Sequence, residues 1–403
     1  MSPPDSRSSP PDLGLTTAVL ALAALPVLAN ATIAPSLPGL ARAFADVPRI
    51  QTLAALVLSL PSLAVVLTAV FFGLAADRFG HRRLLVVVLL AYALGGTSGA
   101  LAQTMPQILA GRLVLGIGVA GTLTLATQMA ATFWQGPERA RLMGWQGAAI
   151  SAVGIASLIL GGALAEASWR APFTIYLAAL PLAAFAWAVV PRGKGGAGGG
   201  PVAEDGADPD APFPWAVLAL TGGVLFAVMV FMFLAATRLP FLLGDIGVNS
   251  PGLIGLTLSL MTVASFPGGL FYGKVRARVE PRAIATVALT LMAAGYAVIS
   301  QAETLPIIML GILVTGSGLG LVIPNQNLWL MTYVPDGARG RAAGLMTMLL
   351  FAGQFSSPLI SGAMLGWLDL RGVFLAFAVA LGAVAAGLAF GGAGRRIAEE
   401  GTR

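Results

Sequence analysis

Residues 73–83 read GLAADRFGHRR. One Asp, two Gly and four residues that are Arg or His stand together here, between long apolar runs at about 51–76 and 84–103. The rest of the chain is as apolar as those flanks: 57% of its 403 residues are hydrophobic, 10% are charged, and the mean hydropathy is +0.87. A water-soluble domain of this length would lack the charge to cover its surface, so the sequence is that of an integral membrane protein. A spanning helix uses about 20 apolar residues, and about a dozen spans with short loops fill the chain. Without Cys there is no disulfide framework, thiol catalysis or Cys-ligated metal. The net charge of +6 has the sign of a nucleic-acid binder, but in a membrane protein basic residues collect in the loops that stay in the cytoplasm. No nucleic-acid partner is expected.

Hydrophobic runs predict twelve spans, at about 13–40, 51–76, 84–103, 106–133, 142–165, 171–190, 214–243, 252–273, 283–300, 305–333, 342–367 and 372–391. Residues 1–12, MSPPDSRSSPPD, are polar and Pro-rich and are expected to be disordered. The run from Leu13 to Leu40 is too long for a signal-peptide core and is the first span. Basic residues set the orientation. With the N-terminus inside, seventeen Lys and Arg fall in inner loops and tails and five near the outer ends, Arg112 being the last of the 23. Both termini are therefore expected in the cytoplasm. Residues 191–212, PRGKGGAGGGPVAEDGADPDAP, have the Gly-rich and acidic composition of a flexible linker. They separate the halves 13–190 and 213–391, and a cytoplasmic tail follows at 392–403.

The halves are related, because a shift of 200 residues superposes much of one on the other without gaps. Pro106, Gly111, Gly116, Gly118, Arg139 and Gly144 meet Pro306, Gly311, Gly316, Gly318, Arg339 and Gly344. Shared Gly and Pro carry more weight than shared Leu, since they fix close helix contacts and helix breaks. Gly73, Arg78 and Arg82 fall on Gly273, Arg278 and Arg282, while Asp77 falls on Ala277.

The opening segment resembles the signature loop between the second and third spans of the major facilitator superfamily: Gly, three small or apolar residues, Asp, a basic residue, any residue, Gly, then basic residues. Twelve spans, the repeat and a degenerate second copy of the loop extend the resemblance over the whole chain. It implies an all-α polytopic membrane protein of twelve transmembrane helices in two pseudo-symmetric six-helix halves, the major facilitator fold. In span 4, GRLVLGIGVAG resembles the superfamily's Arg-x-x-x-Gly-x-Gly pattern, with Arg112, Gly116 and Gly118 in place. In span 5, SLILGG at 157–162 resembles the end of the drug-antiporter Gly-Pro-x-x-Gly-Gly pattern, and its partner in span 11, SPLISG at 357–362, keeps a Pro. These features resemble the drug and sugar efflux branch.

An alternating-access carrier rocks one half against the other about a midplane site, so its inner edge must be held shut in one state and released in the other. Asp77, at the end of span 2, is placed to meet the positive N-terminal end of span 11 near Gly340 and Arg341. Arg78 and Arg82 are placed to hold Glu138, and with Gly73 and Gly80 these form the expected gate. The alternative is that the charges only anchor a loop at lipid headgroups, although an Asp adds nothing to such anchoring.

Arg112 lies about six residues inside the outer end of span 4, where a charge in hydrocarbon costs several kcal/mol unless it faces water or a partner. It either faces the cavity, with Asp46 or Gln51 as a possible partner, or snorkels to the interface. The resemblance implies a substrate site lined by spans 1, 4, 7 and 10, whose polar residues are Asn30, Thr124, Gln128, Thr237, Arg238, Asn325, Gln326 and Asn327. The alternative is that such residues join helices to one another, at about 0.6 kcal/mol each. All 17 acidic residues lie in loops, tails or helix ends. Asn30, Thr32 and Ser36 of span 1 do not titrate, which leaves Asp46 or Glu166 near the outer face for any proton coupling.

Convergent catalytic groups, metal ligands and phosphate-binding loops are missing, so neither an enzyme nor a cofactor is expected. The expected function is export of a small organic molecule by alternating access, in exchange for protons, by a monomer in the plasma (inner) membrane. Uptake symport and facilitated diffusion are the alternatives, and a non-transporting sensor or scaffold is a remote one.

Overall fold

The computed structural model describes residues 13–191 and 213–390, without the side chains of Asp77 and Asp336. The N-terminal segment 1–12, the tail 392–403 and all of the linker except Pro191 lie outside the described residues. Twelve helices here are long and apolar enough to cross a bilayer. They are α1 Leu13–Ala43, α2 Ile50–Phe79, α3 His81–Leu101, α4 Met105–Phe133, α5 Gly136–Ala167 and α6 Ala171–Val189 in the first half. The second half holds α7 Trp215–Asp245, α8 Pro251–Arg276, α9 Pro281–Gln301, α10 Leu305–Met331, α11 Arg339–Met364 and α12 Leu370–Phe390.

Local sequence explains where these helices begin and break. Thr104 caps α4 reciprocally with Gln107, whose side-chain oxygen accepts from the backbone of Thr104 and Gln103. Ser250 caps α8 by accepting from the Leu253 N–H. Between α2 and α3 the chain turns on Gly80 alone, at φ 79°, a conformation that penalises any residue with a Cβ. α1 is interrupted: its first helix ends at Ala31, one 3₁₀ turn covers Ala34–Ser36, and a short helix resumes at Leu37–Ala43. Pro35 and Pro38, which have no N–H to give, stand where each new piece starts.

Glycines build the two halves alike. A Cβ at Gly116 would lie 2.5 Å from the Pro61 carbonyl oxygen, and one at Gly316 would lie 2.4 Å from that of Met261, the same contact shifted by 200 residues. Gly118 lies against Tyr92, and Gly318 against Ala288 and Met292. α4 thus packs on α2 and α3 as α10 packs on α8 and α9, at backbone distances that only small residues allow. Outward faces carry bare hydrophobics such as Val70, Leu94 and Val379, an arrangement suited to lipid rather than water.

The α2–α3 loop and the ends of α6 and α7 share one side of the bundle, called here the linker side; the α1–α2 loop lies on the far side. The close contacts between halves run from mid-span to the far side. Ser62 of α2 donates to the side-chain oxygen of Gln354 of α11 at 2.8 Å, and a Cβ on Gly255 of α8 would lie 2.3 Å from the Leu158 carbonyl of α5. Toward the linker side, Gly144, Gly147, Gly273 and Gly344 have nothing within 4 Å of a Cβ. The bundle is closed on the far side and parted on the linker side.

Candidate functional site

Among the described residues two arginines are buried in the spans, one in each half, and both lie seven residues, or about 10 Å, from the far-side end of their helix. Arg112 of α4 is 1% exposed. It does not face a cavity, nor does it pair with Asp46 or Gln51. It donates to the Tyr176 hydroxyl at 3.1 Å and to the Gly96 carbonyl at 3.2 Å, and lies over the rings of Phe173 (4.6 Å) and Tyr176 (5.0 Å). An aromatic cage of this kind stabilises a desolvated guanidinium by about 2 kcal/mol per ring. That gain removes the need to snorkel or to face water. Tyr176 in turn donates to the Ala29 carbonyl at 2.8 Å, just before the interruption in α1, so Arg112 braces α3, α4 and α6 against that break.

Arg238 of α7 is 0% exposed and sits between the halves. Its Nε donates to Ser361 at 2.9 Å, Nη2 to the Pro358 carbonyl at 3.2 Å, and Nη1 to the Gln51 carbonyl at 3.2 Å. Ser361 and Pro358 are on α11; Gln51 is at the start of α2, in the other half. No carboxylate is among these partners. A charge at this depth costs roughly 2.5–3.5 kcal/mol when unsupported, and here three neutral oxygens offset that cost. The contacts form one end of a polar seam between α2 and α11 that continues through Thr52 against Gly362 to Ser62 with Gln354.

The seam between α5 and α8 is made differently. A Cβ on Gly162 would lie 2.6 Å from the Pro251 carbonyl, and Gly255 meets Leu158 as above. Backbone therefore lies on backbone. At its far end Glu166 accepts from the Ser250 hydroxyl and from the Gly252 N–H at 3.0 Å, placing a carboxylate from α5 on the positive end of α8. Glu166 thus joins the halves, as does Arg238. The sequence context of Glu166 points only to proton coupling, and single polar residues in apolar helices such as Ser62 and Gln354 carry no signal of pairing across 292 positions.

Of the expected cavity amides, Asn325 is tied within its own half: its oxygen accepts from the Tyr272 hydroxyl at 3.2 Å, and its nitrogen donates to the Pro281 carbonyl at 2.9 Å. Asn327 donates to the Ile323 carbonyl one turn earlier. Gln326 is fully buried, yet neither end of its amide meets a protein partner. Gln128 gives its nitrogen to the Gly73 carbonyl at 3.4 Å and leaves its oxygen unpartnered, as does Asn30. Unmet amide atoms on α1, α4 and α10 are where water or a polar ligand would be held.

Of the residues expected at the linker-side gate, Arg341, Arg82 and Arg78 each lie against an aromatic ring. Arg341 does not reach across to α2: its guanidinium lies 4.7 Å from the Phe213 ring and 4.8 Å from that of Trp215, at the entry to α7 in its own half. Arg82 lies 4.1 Å over Trp187, Arg78 lies 5.7 Å from the ring of its neighbour Phe79, and Glu138 is exposed in the first turn of α5. The side chain of Asp77 lies outside what the structure describes. A Cβ on Gly73 would have only an ordinary contact with Gln128, at 3.8 Å.

The profile of the Major Facilitator Superfamily matches residues 19–249 and 220–399. A triacylglyceride transporter of Mycolicibacterium hassiacum is 25% identical over 355 residues, covering 70% of this chain and 66% of the relative, so the chain spans just under two thirds of that protein's length. The class C tetracycline resistance protein of Escherichia coli is 26% identical over 355 residues, covering 85% of this chain and 87% of the relative. Among solved structures, a bacterial homolog of the human lysosomal transporter Spinster, in an inward-facing and occupied conformation, superposes with a TM-score of 0.79 at 16% identity, covering 96% of this chain and 98% of that one. That last likeness is one of fold.

Proposed function

The chain belongs to the Major Facilitator Superfamily, and on that premise we propose that it exports a small organic molecule from the cell by alternating access, as a monomer in the plasma membrane, with protons as the counter-ion. The observation that carries this reading is the one-sidedness of the contacts between halves: two seams close the far side while the linker-side ends stand apart. A carrier that exposes its midplane alternately must have such a state. The excess of basic residues on the linker side makes that side cytoplasmic, so this state faces inward, with Asn30, Gln128 and Gln326 offering unmet amide atoms to a polar cargo. Efflux as the direction is supported by the tetracycline resistance relative, which is matched over most of both chains.

A second reading has its own support. Every Asp and Glu in the described spans lies at a helix end, so no carboxylate stands at mid-membrane to load and release a proton. Facilitated diffusion or uptake needs none. Inverted vesicles with an acid interior, given labelled tetracycline outside, distinguish the two. Accumulation that a protonophore collapses is the outcome expected of proton-driven export, whereas equilibration independent of the gradient means a uniporter. Reporter fusions after Arg192 and Gln103 check orientation; a cytoplasmic signal at Gln103 breaks the topology.

A further inference from the structure

Arg238 is the buried cation whose partners come from both halves. Three of its five N–H donors are met, by Ser361, Pro358 and Gln51, and every acceptor is neutral. Ser361 and Pro358 belong to the same half as Arg238; Gln51 belongs to the other. A guanidinium stays charged at any physiological pH, so Arg238 carries no proton between states. Its strongest complement is an oxyanion such as a carboxylate or phosphate, which takes two parallel N–H bonds from the planar fork.

A route to the guanidinium lies on the far side. A pocket of about 940 Å³ opens there between the α1–α2 loop and the end of α11, lined among others by Asp46, Arg49, Gln51, Thr52 and Gly362. Gln51, Thr52 and Gly362 separate the pocket from Arg238: Gln51 bonds it, and a Cβ on Gly362 would lie 2.7 Å from Thr52 and 3.3 Å from Nη2. Parting α2 from α11 would remove this floor and the Gln51 acceptor in one movement. We propose that Arg238 is a state-dependent oxyanion site: with the far side open it exchanges the Gln51 carbonyl for a carboxylate or phosphate-like group entering from the pocket, and with the far side closed it cannot. The inference rests on the alternating-access reading above. The oxyanion belongs either to the cargo or to a separate co-ion.

Since the chain has no Cys, one introduced thiol reports on the seam. Ser59 is fully buried, its hydroxyl meets no partner, and it shares with Thr52 and Ser62 the face of α2 turned to α11. Ser59→Cys in liposomes is treated with a membrane-impermeant maleimide in chloride, succinate, sulfate or phosphate at equal ionic strength. At least one oxyanion is expected to speed labelling about three-fold or more, saturably; Arg238→Gln should abolish the response and Arg238→Lys, a point charge without a fork, should weaken it. Equal rates in all four salts, or an undiminished response in Arg238→Gln, overturn the site. If Arg238→Gln does not fold, an unweakened response in Arg238→Lys does so. Failure of the alternating-access premise looks different: Ser59→Cys then labels in no salt while a thiol at Val47, on the pocket rim, still reacts, and the site falls with the premise. Uptake of the active oxyanion in labelled form with no other solute present marks it as cargo, and uptake that requires a second solute marks it as co-ion; either result keeps Arg238 as the site.

Discussion

Two of the crossings that close the far side, α2 on α11 and α8 on α5, are turned into one another by a shift of 200 residues. Gly362 against Thr52 becomes Gly162 against Gly252, and Gln354 with Ser62 becomes Gly154 with Thr262. The placement of the contacts is kept while their chemistry is exchanged. One seam is a polar network gathered on Arg238; the other is backbone on backbone, with Glu166 at its end. Neither charge has a counterpart in the mate, where Pro38 and Gly366 stand at the equivalent positions. The internal repeat thus accounts for the geometry of the gate but not for its charges. A steric seam resists water and salt, whereas a hydrogen-bonded cation can be won over by a competing ligand.

Filling the backbone seam should produce the largest effect. A Cβ at Gly255 would already lie 2.3 Å from Leu158, so Gly255→Val should hold the far side open, shifting the balance of states roughly 5- to 150-fold for an overpacking cost of about 1–3 kcal/mol and stopping transport. Its mate on the polar seam, Ala55, already carries a Cβ, so Ala55→Gly should leave the gate closed. Equal responses to the two changes would erase the distinction between the seams. Arg238→Gln should come next. It removes three hydrogen bonds but also the cost of burying the charge, and should raise Ser59→Cys labelling about ten-fold, a net change of about 1.4 kcal/mol. Glu166→Gln keeps most of the hydrogen bonding at an exposed site and removes only the charge on the α8 terminus, so labelling should rise about two-fold at low salt and not at all at about 1 M salt. Arg112→Lys should leave labelling unchanged but lower the thermal midpoint, because Arg112 braces one half and touches no seam; a change in labelling comparable to that of Arg238→Gln would contradict this division of roles.

Much of this was legible in the sequence because glycine and proline at matched depth leave few packing choices. Gly116 with Gly316, and the glycines that end SLILGG and SPLISG, fall at close helix contacts. Arg112 was misread because a lone Arg in a span has two stable solutions, a wet cavity or an aromatic cage, and its cage comes from Phe173 and Tyr176, 61 and 64 residues along the chain. Their separation by three positions on one helix face was the available signal. Residues Asn325, Gln326 and Asn327 show the same limit: three successive amides look alike until Tyr272 and Pro281 take Asn325 and leave Gln326 unmet.

The most direct test of alternating closure at these seams is a disulfide between Thr52→Cys and Gly362→Cys. A Cβ on Gly362 would lie 2.7 Å from the two atoms that Thr52 carries on its own Cβ, which keeps the two Cβ atoms under the ~4.5 Å that a bridge allows. Oxidation should cross-link the pair in high yield, stop the movement of a solute that the reduced protein carries in inverted vesicles, and leave it fully restored by a reductant. Failure to cross-link, or a cross-linked protein that transports at the rate of the reduced one, would contradict the closing of the far side at this seam during transport.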